Sequence, residues 1–283
     1  MECLFILYGP TSRNGKGTTM ESILRIMGEY GKNADPTMLQ AKFNSQSGGP
    51  SEEIARLAGS RFVNISEPEK KITLDAALTK RLTGNDTITA RYLHENSFEF
   101  RPNFKIFINT NHRPNITDLT LFESGRIKII PFDRHFEENE QDKDLKSTFA
   151  KPENMSGILN WMLEGYKLFR SQGLAMPDSV VQATTDYQIF SDKMGQFFDE
   201  CIEEKEGCEL RRGAVYTRYK EWCGENGYRA EAAKNLNQEI EKRYKTARKR
   251  PNDGASSSTT PMVLDVAFTA SEESKEDFAP LTS

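Results

Sequence analysis

Two rhythms of apolar residues organise the first half of the chain. Cys3–Tyr8 is an unbroken apolar run that stops at Gly9, after which Met20, Ile23, Leu24 and Met27 recur at helical spacing. A buried strand and an amphipathic helix are predicted, joined by the loop GPTSRNGKG. Further strand candidates are Arg61–Ser66, where Val63 and Ile65 alternate, Phe104–Asn109 and Arg126–Pro131. Ser51–Leu57 and Leu74–Leu82 supply helical material between them. This alternation predicts an α/β domain with a central, largely parallel sheet over residues 1–135.

After the charged stretch FEENEQDKD the pattern becomes helical. Gly157–Arg170 carries Ile158, Trp161, Met162, Tyr166 and Phe169 at helical spacing and ends at the breaker SQGLAMP. Tyr187–Glu204, Ala214–Glu225 and Ala232–Arg248 are the next helix candidates. A helical extension is expected over 136–190 and an accessory domain over 191–250. Residues 251–283, dominated by Ser, Thr, Pro and acids, are expected to be disordered, with the island MVLDVAF as an alternative docking strand.

Charge changes the picture once its distribution is considered. The 283 residues carry 38 Lys+Arg and 42 Asp+Glu, a net of −4 that by itself argues against a nucleic-acid partner. Beyond Arg250, however, six acids face a single base, Lys275. What precedes this tail is nearly neutral, so local patches decide what it binds. No apolar stretch approaches the ~18 residues of a membrane span. The apolar start lacks a basic leader and a small-residue cleavage site, so it reads as a strand and not as a signal peptide. Cys3, Cys201, Cys208 and Cys223 have neither CxxC spacing nor a partner histidine pattern, which suits reduced, mostly buried thiols. His94, His112 and His135 offer no three-ligand metal set.

The loop Gly9–Thr18 carries the most specific chemistry. Five residues separate Gly9 from Gly15-Lys16, one more than the usual phosphate-loop spacing, and Gly17 stands where Ser or Thr normally follows the lysine. Both departures leave the physics intact: a strand delivers a flexible loop to a helix N-terminus, whose N–H groups attract phosphate. Gly9, Pro10, Asn14, Gly15, Lys16, Gly17, Thr18 and Thr19 are therefore the nucleotide-binding candidates. Lys16 would neutralise the outer phosphates of ATP, and Thr18, or alternatively Thr19, would offer its hydroxyl to Mg2+. The alternative is a Gly-containing turn that opens an ordinary helix.

An ATPase also needs a carboxylate at a neighbouring strand end. Glu67 directly follows the strand in GSRFVNISEPEK and Glu69 comes two residues later; the plain alternative is a pair of solvated loop acids. The strand in KIFINTNHRP ends in Asn109, Thr110, Asn111 and His112, and Asn111 is the candidate amide for sensing the outer phosphate or orienting water. Lys80, Arg81 and Arg91, with Lys105, surround a Thr-rich segment suited to nucleic-acid backbone contacts. Lys242, Arg243, Lys245, Arg248, Lys249 and Arg250 form a run of bases that on a helix would present a broad basic face. Ordinary surface charge is the alternative for both groups, and for Tyr92 and His94 packing is as good a reading as stacking on bases.

Taken together, NGKGT at 14–18, AGSRFVNISEPEK, LTKRLTGNDTITARYLHENSFEFRPNFKIFINTNHRP and GRIKIIPF resemble the superfamily 3 helicase domain, as found in the C-terminal module of phage and plasmid primases and in poxvirus-type primase-helicases. The resemblance is strong over 1–135 and continues more weakly to residue 248. It implies an α/β P-loop NTPase core of AAA+-like type followed by a helical, winged-helix region. It assigns Lys16 and Thr18 to phosphate and Mg2+, Glu67 and Glu69 to the acidic pair, and Asn111 to the sensor amide. Arg126 would be an arginine finger reaching a neighbouring subunit's ATP, although Ser124-Gly125-Arg126 has one base where a pair is common. Lys80 and Gly84-Asn85-Asp86 would lie in a motif that runs into a DNA-facing β-hairpin, with Asp86 among the contacts.

The resemblance implies an ATP-dependent DNA helicase of phage or plasmid replication, acting on single-stranded DNA at a fork as a homo-hexamer, in a bacterial or phage-infected cytoplasm. Two rivals are a small P-loop nucleotide kinase and a DNA-binding assembly subunit with weak ATPase. The loop's closeness to Met1 leaves no room ahead of it for a primase or a helical collar, so a separate primase or replication subunit is an expected partner.

Overall fold

The computed structural model describes residues 2–41, 52–66, 72–249 and 259–269. The chain divides into two compact units, Met1–Ser191 and Asp192–Ser283.

In the first unit, β1 (Leu4–Tyr8) leads through the loop to α1 (Lys16–Met27), followed by β2 (Gly31–Ala34), α2 (Glu52–Ala55), β3 (Phe62–Ser66) and α3 (Ala76–Thr83). A short hairpin, β4 (Ile88–Ala90) and β5 (Phe98–Phe100), precedes β6 (Lys105–Thr110), α4 (Thr120–Glu123) and β7 (Ile127–Pro131). Three helices close the unit: α5 (Leu145–Phe149), α6 (Pro152–Gln172) and α7 (Asp178–Ser191). The central sheet is five-stranded in the order β2-β3-β6-β1-β7, and every pairing in it is parallel. It is the α/β P-loop fold of AAA+-like type, with β6 inserted between the phosphate-loop strand β1 and β3.

Why these strands are central follows from their two faces. Leu4, Ile6, Ile106, Ile108, Ile127 and Ile129 point to one side and join the main core with Leu82, Ile88 and Tyr187. Cys3, Phe5, Leu7 and Phe62 point to the other, against Met20 of α1, and the Phe5 and Phe62 rings stack on Phe107 at 5.0 and 4.7 Å. Residues apolar at every position suit strands covered on both faces. Helix α3 begins where the Asp75 side chain accepts from Leu78 N at 2.9 Å, an N-cap. Helix α6 buries none of its 21 residues, and Trp161, Tyr166 and Leu168 on it are exposed.

The second unit runs α8 (Lys193–Cys201), β8 (Ile202–Arg211), α9 (Arg212–Glu225), α10 (Ala233–Arg243), β9 (Thr246–Lys249) and β10 (Thr260–Phe268). Its antiparallel sheet has the order β8-β10-β9, and Phe197, Tyr219, Trp222, Leu236, Ile240 and Val263 fill the core beneath. Helix–strand–helix–helix–hairpin is the winged-helix order.

Four expectations need correction. Tyr187–Glu204 is not one helix: Asp192 breaks it and caps α8 by accepting from Gly195 N at 2.7 Å, and the chain turns to strand at Ile202. Nor does Ala232–Arg248 run as one helix, because Tyr244 becomes extended, its ring set edge-on to Phe198, and the next residues join β9. Disorder after residue 250 fails for 260–268, since Met262, Val263, Val266 and Ala267 are buried in the central strand of the second sheet. The rest of the expected tail lies outside the described residues. Finally, no compact unit ends at residue 135, as α5 to α7 stay with the first unit, where Thr184 of α7 accepts from Ile129 N at 3.0 Å. Cys3, Cys201, Cys208 and Cys223 form no disulfide, and three of them are buried.

Candidate nucleotide site and nucleic-acid contacts

The phosphate loop leaves β1 at the carboxyl end of the sheet and is shaped by close approaches that only certain residues allow. A Cβ on Gly9 would lie 2.3 Å from the Phe132 carbonyl and 2.4 Å from Asn14 Nδ2, so glycine alone fits. Asn14 is buried and donates to the carbonyls of Thr11 (2.7 Å) and Phe132 (3.3 Å), fastening the loop to itself and to the end of β7. Gly15, left-handed at φ 88°, is the N-cap of α1 and brings no side chain to the helix end. The 12-residue helix thus opens toward the loop without a side-chain cap, as an anion site requires.

Lys16 is only 4% exposed, and its Nζ donates to Asn111 Oδ1 at 2.7 Å and to the Gly9 carbonyl at 3.4 Å. Parallel pairing of β1 with β6 places the end of β6 beside the loop. One cavity of about 130 Å³ is lined by Asn14, Lys16, Gly17, Asn109, Thr110 and Asn111, with Ser12 and Arg13. The structure therefore brings Asn14, Lys16, Gly17 and Asn111 together. Thr18 is half-buried and Thr19 exposed; neither lines this cavity, and the Thr19 hydroxyl donates to the Gly15 carbonyl at 3.1 Å. Pro10 is an exposed loop residue. Sequence reasoning did not assign Ser12, Arg13, Asn109 or Thr110 a place here; the run of polar residues ending β6 was the available clue.

Glu67 and Glu69 lie outside the described residues. Ser66, which precedes them, pairs with Asn109 across β3 and β6. Among the described residues, no group of three or more His, Cys, Asp or Glu side chains could hold a metal ion.

Arg126 immediately precedes β7 and so sits at the amino end of the sheet, whereas the phosphate loop leaves the carboxyl end of the adjacent parallel strand. Five strand residues intervene, roughly 16 Å. Its guanidinium is 2.6 Å from the Glu2 carboxylate and donates to Thr83 Oγ1 at 3.1 Å. It does not join the phosphate cavity of its own chain.

The basic candidates are dispersed. Lys80 on α3 is 2.8 Å from Asp118 and 2.7 Å from the Thr120 hydroxyl. Burial pushes the Asp118 carboxyl up, but hydrogen bonds from Lys80 and Thr120 outweigh it and leave the group below its ordinary value. Arg81 and Asp86 are exposed and Arg91 half-buried at the hairpin. The β4–β5 hairpin is present where the resemblance implied one. Tyr92 is packed there: its ring stacks on Phe98 at 5.8 Å and its hydroxyl donates to the Ala55 carbonyl. Lys245, Arg248 and Lys249 do not share a helix face. The last two lie on β9, an edge strand, where Lys249 pairs with Glu209, and Lys245 stands 3.9 Å from Asp265. Charged residues on an edge strand also keep other chains from pairing with it.

Fold and loop together give the first unit a parallel α/β sheet with a glycine-containing loop between β1 and α1 at its carboxyl end. Residues 190–271 match a family described as Poxvirus D5 protein-like, and residues 7–126 match a family of unknown function. The chain is similar to Putative helicase L207/L206 of Acanthamoeba polyphaga mimivirus, 28% identical over 244 residues that cover 80% of this chain and 25% of the relative. Putative helicase 022R of Frog virus 3 (isolate Goorha) is likewise 28% identical over 233 residues, 76% of this chain and 24% of that protein. The chain thus spans about a quarter of the length of these curated relatives. In the solved apo structure of the NrS-1 C-terminal region, 93% of this chain aligns with 67% of that one at 12% identity and a TM-score of 0.48. Over these residues the chain is similar to D5-like proteins and to viral putative helicases, in keeping with the resemblance its motifs carry.

Proposed function

We propose that the first unit is the ATPase motor of a viral DNA helicase and that the second contributes contacts to the DNA. The observation that carries this reading is the single cavity in which the phosphate loop, Lys16 and Asn111 meet at the carboxyl end of a parallel sheet. A triphosphate fits the residues present: the amino end of α1 opens toward the loop without a side-chain cap, and Asn14, Lys16 and Asn111 form part of the cavity wall. Bound ATP with Mg2+ supplies the phosphoanhydride whose cleavage drives movement. Lys16 binds the outer phosphates, and the N–H groups opening α1 hold the inner ones. Asn111, released from Lys16 when phosphate takes its place, turns its amide toward the attacking water. Thr18 and Glu67 are the proposed Mg2+ contacts, and Glu69 is the proposed second member of the acidic pair.

Arg126 is too far from its own phosphate loop to act there, so any role in hydrolysis is in trans, on the site of a neighbouring copy. A homo-hexameric ring is the arrangement proposed, with single-stranded DNA meeting the β4–β5 hairpin, its flanking Arg81, Asp86 and Arg91, and the basic β9 edge. The relatives come from mimivirus and iridescent-type viruses, which favours viral DNA replication over the phage or plasmid setting. The test is ATP turnover with and without single-stranded DNA, with molecular mass measured in parallel. Single-stranded DNA should stimulate turnover, Lys16→Ala should lower it by about a hundredfold or more, and Arg126→Ala should lower turnover while sparing ATP binding. Turnover indifferent to DNA would overturn the helicase reading; a monomer in which Arg126→Ala changes nothing would overturn the trans mechanism.

A further inference from the structure

Helix α6 is apolar around most of its circumference, and a helix of that kind is ordinarily surrounded by protein. Yet none of its 21 residues is buried, and Leu159, Trp161, Leu163, Tyr166, Leu168 and Phe169 are 41% to 71% exposed. Its polar side is narrow: Glu153, Asn160, Glu164 and Lys167 share it at helical spacing, and the last two pair at 2.7 Å. At roughly 200 Å² for each large side chain, half exposed, the six leave on the order of 600 Å² of apolar surface in water. That is the upper end of what a monomer shows and most of the ~800 Å² that each partner brings to a stable interface.

One row on this helix alternates small and large. Gly157, Trp161, Gly165 and Phe169 follow one another at intervals of four and so form a single ridge. Trp161 is the most exposed of the apolar residues at 71%, with a glycine one turn to either side. The chain itself requires neither glycine. Neither has a left-handed φ, and a Cβ at either position would meet nothing within 4 Å. Glycine inside a helix costs stability, so two open notches beside a protruding indole point to something packed against them from outside.

We propose that α6 pairs across a two-fold axis with α6 of a second copy of this chain, Trp161 of each copy seated in the Gly165 notch of the other. Every residue from Leu163 to Gln172 is exposed, so the open half of the helix can take an axis near Leu163. Antiparallel copies centred there set the ridge against its own reverse. Trp161 then faces Gly165, and Phe169 faces Gly157, so large meets small at every step in both directions. That is the self-complementarity an isologous contact needs. Any other partner must carry a matching ridge of its own, whereas a second copy has one by construction. Ridges of four-residue spacing interlock at a crossing of about −50°. Charge is no obstacle, because the ridge has none and Glu164 is neutralised by Lys167. A two-fold contact closes on itself, so it is distinct from the head-to-tail contacts that build a ring, and it does not depend on ATP.

The experiment is the molecular mass of the full chain by light scattering, without nucleotide, over roughly 1–100 µM, with tryptophan emission recorded alongside. Of the two tryptophans Trp222 is buried and Trp161 exposed, so pairing should move the emission to shorter wavelength as the mass doubles. Trp161→Ala should halve the mass and leave the thermal midpoint of the dilute chain unchanged, since substitution at an exposed position barely alters a monomer's stability. Gly165→Leu is the sharper variant. It adds apolar surface and favours the helix, so a merely sticky face would associate more tightly, whereas filling the notch should weaken pairing by about tenfold or more. If the wild type stays a monomer across this range, or Trp161→Ala keeps the wild-type mass, or Gly165→Leu associates more tightly, the proposal is overturned and α6 belongs to a different partner.

Discussion

At the carboxyl end of the parallel sheet, Gly9, Asn14, Lys16 and Asn111 are gathered into one place by backbone geometry that admits few substitutes. The basic residues offered for nucleic acid sit on separate elements instead, and Lys80, Arg243 and Lys249 are each engaged with acids. The difference lies in what each kind of chemistry requires. A phosphate loop works through close approach, so its residues are fixed by space and by helix direction. A nucleic-acid surface works through summed charge, which many arrangements supply equally well. A spacing pattern therefore locates the first with residue-level accuracy, whereas a run of charges locates the second only to a region.

Substitutions can break this contrast at several depths. The largest effect is expected at Gly9. Gly9→Ala forces a methyl group against the Phe132 carbonyl, and should cost ~1–3 kcal/mol of stability in denaturant unfolding as well as abolish measurable ATP binding. A variant with wild-type stability and ATP affinity would show that the loop is looser than its close contacts imply. Next comes Asn111→Ala, expected to lower ATP turnover on the order of a hundredfold with little change in ATP affinity; steady-state kinetics alongside binding would separate the two. Lys80→Ala should have the smallest effect. Both partners of the Lys80–Asp118 pair are about one-third exposed, so stability should change by about 1 kcal/mol or less.

That last pair also carries a pH dependence. The Asp118 carboxyl is held below its ordinary value in the folded chain, so the stability it contributes is complete above the ordinary carboxylate range. It is lost as pH falls through the lowered folded-state value. Lys80→Ala should flatten this acid limb in unfolding curves recorded at successive pH. If Lys80 contacts phosphate instead, the same variant should reduce the salt slope of single-stranded DNA binding by about one.

How far sequence reasoning reached depends on which interactions are local. The four long strands of the central sheet were legible because continuous apolar runs of that length have few other homes; β1 and β6 were anticipated to within a residue at each end. The fifth, β2, was not, since Gly31–Ala34 is a four-residue edge strand without apolar alternation. Asn111 was found from its place at a strand tip, whereas the packing of Arg113 against Tyr8, Tyr187 and Phe190 was missed because these rings meet it only in the folded chain. The basic run after Lys242 was misread for a related reason. Its residues fit a helix by propensity, yet pairing of Thr246–Val263 and Lys249–Thr260 draws them into a sheet. Tertiary pairing overrode local preference, as it commonly does in strands.

The place of β10 in the second unit bears on the order of events during synthesis. This strand lies between β8 and β9, which do not pair with each other. Until Thr260–Phe268 has emerged from the ribosome, β8 has no hydrogen-bonding neighbour in its sheet and Val263 and Val266 are missing from the core beneath. The first unit, whose five-stranded sheet is finished by Pro131, can therefore reach its native form well before the second. A nascent chain halted short of Thr260 would display a complete phosphate-loop domain joined to helices that still await their sheet.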